Sequence, residues 1–96
     1  MVRHIVFFNF NDDVTEPQKN ELIDGLRGLE SKIPLIKELE VGTDIAGTDK
    51  SYDIALNTLF DSFDDVQEYI VHQDHVEVVK LVKNYCSSTV KVDYVV

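Results

Sequence analysis

The chain has 96 residues with 18 acidic against 9 basic side chains, a formal net charge of -9, and that balance repels nucleic acid and anionic membrane surfaces. At 44% hydrophobic and 28% charged residues the composition is that of a soluble globular protein, and no apolar run reaches the roughly 20 residues needed to cross a bilayer. One domain over residues 1–96 is expected, without nucleic-acid or membrane partners and with a modest core that a second copy would help to complete. Met1 leads straight into a strand-like pattern with no leader-type charged, apolar and small-residue regions, so a cytoplasmic location is expected. Cys86 is the single cysteine; at the end of an apolar helical stripe it reads as a small core residue, not a nucleophile.

The first strand reads Val2 to Phe10, with His4, Val6, Phe8 and Phe10 on one face and Arg3, Ile5, Phe7 and Asn9 on the other. Both faces are substantially apolar, which predicts a central strand covered on both sides. Asn11-Asp12-Asp13 turns the chain, and Thr15 with Gln18 has the form of a capping box that tolerates Pro17 in the first turn. Leu22, Ile23, Leu26, Leu29 and Ile33 then recur at helical period until Pro34 stops the helix. A second strand from Ile36 to Ile45 alternates Leu39, Val41, Thr43 and Ile45 against Glu38, Glu40, Gly42 and Asp44. After the turn at Gly47-Thr48-Asp49-Lys50, a third strand from Tyr52 to Phe60 sets Tyr52, Ile54, Leu56, Thr58 and Phe60 against Ala55, Asn57 and Leu59, closing a hairpin.

Ser62 and Asp65 start another helix, on which Phe63, Val66 and Ile70 recur at helical spacing. It runs out in Tyr69-Ile70-Val71-His72-Gln73-Asp74-His75, the stretch richest in chemistry. Asp74 followed by Glu77 has the form of a second capping box, which makes His75 the first residue of a new helix and aligns it with Val79, Val82 and Cys86 on a core-facing stripe. The positive end of that helix disfavours an imidazolium and keeps a buried His75 neutral, able to accept a proton, while the Tyr69 phenol facing the same space could polarise a carbonyl. The competing reading is a buried tyrosine and histidine hydrogen-bonded to each other, an ordinary way to join two helices. A helical His72-x-x-His75 pair is weak evidence for a metal, and no metal is expected. Neither a Gly-rich phosphate loop nor a Ser-His-Asp set is present, so nucleotide-dependent and hydrolytic chemistry have no support and no cofactor is expected.

Ser87-Ser88 introduces a last strand alternating Val90, Val92, Tyr94 and Val96 with Lys91, Asp93 and Val95. The order β-α-β-β-α-β, with the second helix broken near His72 to Asp74, is the α+β split βαβ or ferredoxin-like plan, a four-stranded antiparallel sheet with helices on one face. Ile5, Phe7, Ala55 and Leu59 then lie on the uncovered face, flanked by Glu38, Glu40, Lys91 and Asp93. A homodimer packed sheet to sheet, including Ile5, Phe7 and Leu59, would cover them.

An opening His-Ile-Val-Phe-Phe-Asn-Phe, a Leu-rich first helix ending at Ile33-Pro34, Phe60-Asp61-Ser62, Tyr69-Ile70-Val71-His72 with His75-Val76, and a closing Val92-Asp93-Tyr94 together resemble the stress-responsive dimeric α/β-barrel (Dabb) domain over essentially the whole chain. The resemblance implies a subunit whose sheet pairs with that of a second copy to close a barrel, with a pocket between sheet and helices. One plant member of that family closes a linear polyketide thioester into an aromatic ring by aldol chemistry without metal or organic cofactor. By resemblance its acting tyrosine and histidine fall on Tyr69 and His75, and a first-strand pocket histidine falls on His4. A further pocket histidine falls on Ile54, which leaves the substrate open, and Gln73 stands where the family commonly has proline.

The expected site is thus Tyr69 and His75 as candidate catalytic residues, with His4, Val6, Phe8, Ile54, His72 and Val79 as candidate ligand contacts. The leading functional expectation is a homodimeric protein that binds an apolar small molecule there, in a stress-related or biosynthetic role. The alternatives are a cofactor-free lyase or cyclase, in which His75 removes an acidic α-proton while Tyr69 hydrogen-bonds the carbonyl, and a structural or assembly protein without a cavity. Cofactor-free monooxygenases on related barrels are a more remote enzyme option.

Overall fold

Both capping signals at helix starts that involve hydroxyls form as the sequence predicts. In the computed structural model, which describes Met1 to Val96, the Thr15 hydroxyl accepts from the Gln18 N–H and the Gln18 side chain accepts from the Thr15 N–H, so two orphan donors are satisfied reciprocally. Ser62 likewise accepts from the Asp65 N–H. The elements run β1 (Val2–Phe10), α1 (Glu16–Lys32), β2 (Glu38–Thr43), β3 (Ile54–Phe60), α2 (Phe63–Val71), α3 (Gln73–Tyr85) and β4 (Cys86–Val95). The sheet order is β2-β3-β1-β4, every pair antiparallel. This is the ferredoxin-like fold, with the helices on one face.

The core lies between that face and the helices. Leu22, Leu26 and Leu29 of α1 and Ile33 at its end are buried with Phe8, Ile54, Leu56 and Phe60 of the sheet and Val66, Tyr69 and Val78 of the later helices. On α2 the buried positions are Val66 and Tyr69, while Phe63 and Ile70 of the predicted stripe stand exposed. The helix is only 9 residues long, and the side that takes Tyr69 inward turns Ile70 out.

The hairpin strands are shorter than their patterns suggest. Ile45 is fully exposed beyond the end of β2, because the ladder gives way to a loop in which Gly47 takes a positive φ of 64° and its N–H is held by the Asp44 carboxylate at 2.7 Å. Tyr52 leaves the strand and lays its ring against Phe7, 5.9 Å between centroids, so it joins the uncovered face and not the face of Ile54.

The register of β4 corrects a second expectation. Ile5 pairs with Val92 and His4 with Asp93, and directly paired residues share a face. Val90, Val92 and Tyr94 therefore join Ile5 and Phe7 on the uncovered face, while Lys91 and Asp93 lie on the helix side with His4. The pattern alone cannot assign the faces of an outer strand beside a central strand that is apolar on both. Leu59 does lie on the uncovered face, but it is only 7% exposed. It is paired on either side with Arg3 and Glu38, whose ion pair at 3.1 Å bridges across it.

Candidate functional site

The break between α2 and α3 is built by its two histidines. In an unbroken helix the Asp74 N–H would bond to the Ile70 carbonyl four residues earlier. Here His72 adopts φ -64° and ψ 139°, which separates those two groups, and each finds an imidazole instead. The Asp74 N–H donates to His72 Nδ1 at 3.1 Å, and His75 Nδ1 meets the Ile70 carbonyl at 2.8 Å. The cap of α3 is thus His72 and not Asp74, and His75 lies in the first turn as its third residue. The predicted Asp74–Glu77 box does not form, because Glu77 accepts from Gln73 and Lys80 instead.

These contacts fix the chemistry of each ring. A carbonyl oxygen can only accept, so His75 Nδ1 carries the proton, and in the neutral ring Nε2 keeps a lone pair. Burial lowers the His75 pKa most, the hydrogen bond to Ile70 opposes that, and the nearby His4 and His72 rings add to the lowering. His75 is therefore a neutral imidazole at pH 7 with Nε2 as its free base.

Tyr69 packs its ring against His75, 4.4 Å between centroids, yet the two are not hydrogen-bonded to each other. The Tyr69 side chain is fully buried, and its Oη has no hydrogen-bond partner in the protein. Burial holds the phenol pKa far above its ordinary value, so the group is a proton-bearing donor at any physiological pH.

His4 completes the cluster from β1, its ring 6.0 Å from that of Tyr69. The Thr58 hydroxyl donates to the His4 carbonyl at 2.8 Å, and His4 Nδ1 donates to Asp93 Oδ1 at 2.5 Å. Burial alone would raise the Asp93 carboxyl, but hydrogen bonds from Lys91 and His4, with the charge behind them, outweigh it and hold it low. Asp93 is thus an ionised acceptor that orients His4 and leaves its Nε2 unengaged. Two imidazoles are anchored through Nδ1, one by a carbonyl and one by a carboxylate.

The three rings line a cavity of about 180 Å³, walled by Val6, Phe8, Leu26 and Leu56 below and by Val78, Val79 and Val82 of α3, with Thr89 at the side. A shallower depression that shares His4, Val6, His75 and Thr89 extends past Ile70, Val90 and Lys91, so the cavity reaches solvent between the helix break and the β4 edge. Of the sequence-predicted residues, His4, Val6, Phe8, Tyr69, His75 and Val79 are brought together. His72 is not among the lining residues, since its ring serves as the cap. Ile54 sits in the core, paired with the wall residue Phe8 but not itself lining the cavity, and Leu56 two residues on takes the place expected for it. Asp93 was missed because its strand was assigned to the wrong face; the antiparallel pairing of the first and last strands was the available signal. No group of three or more His, Cys, Asp or Glu side chains is arranged to hold a metal, at this site or elsewhere, and no helix is long and apolar enough to cross a membrane.

The sequence profile of the stress responsive A/B barrel domain, Dabb, matches residues 2–96. The chain belongs to the Dabb family. Olivetolic acid cyclase of Cannabis sativa is 28% identical over 95 residues, covering 97% of this chain and 94% of the enzyme. A crystal structure from Bacteroides fragilis, described as a dimeric protein of unknown function with a ferredoxin-like fold, is 34% identical with a TM-score of 0.82, covering 97% and 93% of the two chains. A dimeric ferredoxin-like protein of unknown function from Thermobifida fusca is 29% identical with a TM-score of 0.88, covering 99% of this chain and 90% of its own. These likenesses extend over the strands and helices that carry His4, Tyr69 and His75.

Proposed function

We propose that this Dabb protein is a homodimer that binds a small apolar molecule bearing a carbonyl or hydroxyl oxygen in the cavity between sheet and helices. The observation that carries the reading is the Tyr69 hydroxyl, buried and without a protein partner on a residue that lines the cavity. A buried donor left unpaired costs about 1–3 kcal/mol, a cost that a ligand oxygen would remove. The volume of about 180 Å³ suits one aromatic ring or a short chain, since an apolar cavity of about 150 Å³ holds benzene. The dimer is supported by the apolar set Phe7, Val90, Val92 and Tyr94, all exposed on the face without helices, and by the dimeric structures to which the chain is similar.

A second reading, cofactor-independent lyase or cyclase chemistry, is favoured by the His75 tautomer. His75 Nε2 would take a proton from carbon next to a carbonyl, the electron pair would pass to the carbonyl oxygen, and Tyr69 would hydrogen-bond that oxygen as charge develops. His4, held by Asp93, would position the substrate. The similarity to olivetolic acid cyclase supports this chemistry as a class.

Hexan-2-one titrated into protein labelled with ¹⁵N at histidine tests the binding reading, and its exchange of α-protons for deuterium tests the catalytic one. Saturable shifts at His75 Nε2, lost in a variant that fills the cavity such as Val79→Phe, are expected. Absence of saturable shifts for any short ketone or phenol would contradict binding; binding without enhanced exchange would leave a binding protein and remove the enzyme.

A further inference from the structure

The charge around the cavity mouth runs against that of the chain. With 18 acidic residues against 9 basic ones, the depressions elsewhere on the surface each include a carboxylate, Asp44 in one, Asp93 in another and Glu38 with Glu40 in a third. The mouth is instead lined by His4, Val6, Ile70, His75, Thr89, Val90 and Lys91, one ammonium and two imidazoles with no carboxylate. The nearest acid is Asp93, whose oxygens are taken by His4 Nδ1 and by Lys91 Nζ at 2.6 Å and which lines neither the cavity nor its mouth.

Lys91 is the one permanent cation there, and its side chain is about half exposed at 55%. Its partner Asp93 is only 14% exposed, so the pair persists, but an ammonium carries three N–H donors and Asp93 takes one, which leaves donors for a second acceptor. The apolar interior ends where Thr89 and Lys91 begin, which sets an apolar body and an anionic end at a fixed order along the cavity. A single ammonium suits a single carboxylate; a polyphosphate-bearing ligand calls for several cations or a row of backbone donors, and none of these is present at the mouth.

Resting on the binding reading above, we propose that the ligand is an oxo-monocarboxylic acid. Its carbonyl lies at Tyr69 and His75, its short chain along Val79 and Val82, and its carboxylate at Lys91 beside Thr89. Lys91 is thus a specificity-determining residue that selects a free acid over a neutral ester.

The test compares 5-oxohexanoate with its methyl ester by calorimetric titration of the full chain at low ionic strength. The acid should bind about fivefold tighter than the ester, the size expected of one exposed ion pair. Lys91→Gln should bring acid and ester to equal affinity, and Lys91→Glu should invert the preference. Equal binding of acid and ester, or a preference that survives Lys91→Gln, would overturn the assignment while leaving the cavity a ligand site. Failure of both compounds to bind would overturn the assignment together with the binding reading.

Discussion

On the helix side of the sheet Ile54, Leu56 and Phe60 are almost wholly buried, whereas on the other side Phe7, Val90, Val92 and Tyr94 stand 42%, 45%, 52% and 44% exposed. The first set comes from β3 and the second from β1 and β4. The difference shows which surface one chain completes by itself and which it leaves to a partner. It also explains a placement that is odd for an isolated subunit, since β4 turns its apolar set away from its own helices and turns Lys91 and Asp93 toward them. That inversion supplies the polar corner in which Asp93 anchors His4, so the dimer face and the candidate site have one cause in the register of β4.

The contrast can be broken most severely from the helix side. Phe60→Ala should cost about 3–5 kcal/mol, read as a lower urea midpoint than that of the native protein at the same protein concentration. A midpoint shift of less than a third of that would mean the core is not where the packing places it. From the other side, Val92→Glu should leave the fold intact but bring two buried charges to a two-fold interface, one from each copy. Association weakened by about 3 kcal/mol or more should appear as monomer in sedimentation velocity, and an unchanged dimer would move the interface elsewhere.

Smaller effects sharpen the description of the site. The His75 pKa is lowered from its ordinary 6.5 on folding, so below that pH the unfolded chain takes up a proton that the folded chain resists. Stability from this group is full above 6.5 and is lost as pH falls toward the folded value. Thermal midpoints should therefore decline from pH 7 to 5.5 in the native protein and less so in His75→Gln; identical profiles would deny the burial of His75. Asp93 acts in a separate window, its contribution lost only at pH values below its ordinary 3.8. Smallest of all, His72→Ala should remove one helix cap at about 1 kcal/mol with ligand affinity unchanged, and a loss of affinity would return His72 to the site.

Periodicity made most of the fold legible. The alternation of Val2 to Phe10, the Leu22-Leu26-Leu29 stripe closed by Pro34, and the Ser62 cap each depend on neighbours in sequence, and each formed as written. His75 was likewise legible as a polar ring on an otherwise apolar stripe and Tyr69 as its neighbour across the helix break, whereas His4 entered the site through the family resemblance. What was not legible depended on tertiary register. Lys91 and Asp93 needed the pairing of His4 with Asp93, and Leu59 needed the Arg3–Glu38 pair that covers it. The cap at His72 was hidden because an imidazole is an uncommon cap and Asp74 offered a commoner one two residues later.

The central claim is that the Tyr69 hydroxyl is kept for a ligand and not for the fold. Tyr69→Phe, measured for both stability and hexan-2-one affinity, tests it most directly. Removing a buried donor that has no protein partner should leave the ligand-free protein as stable or more stable by about 1 kcal/mol, while ketone binding weakens. A variant that is destabilised, or that binds the ketone as well as the native protein does, would contradict the account.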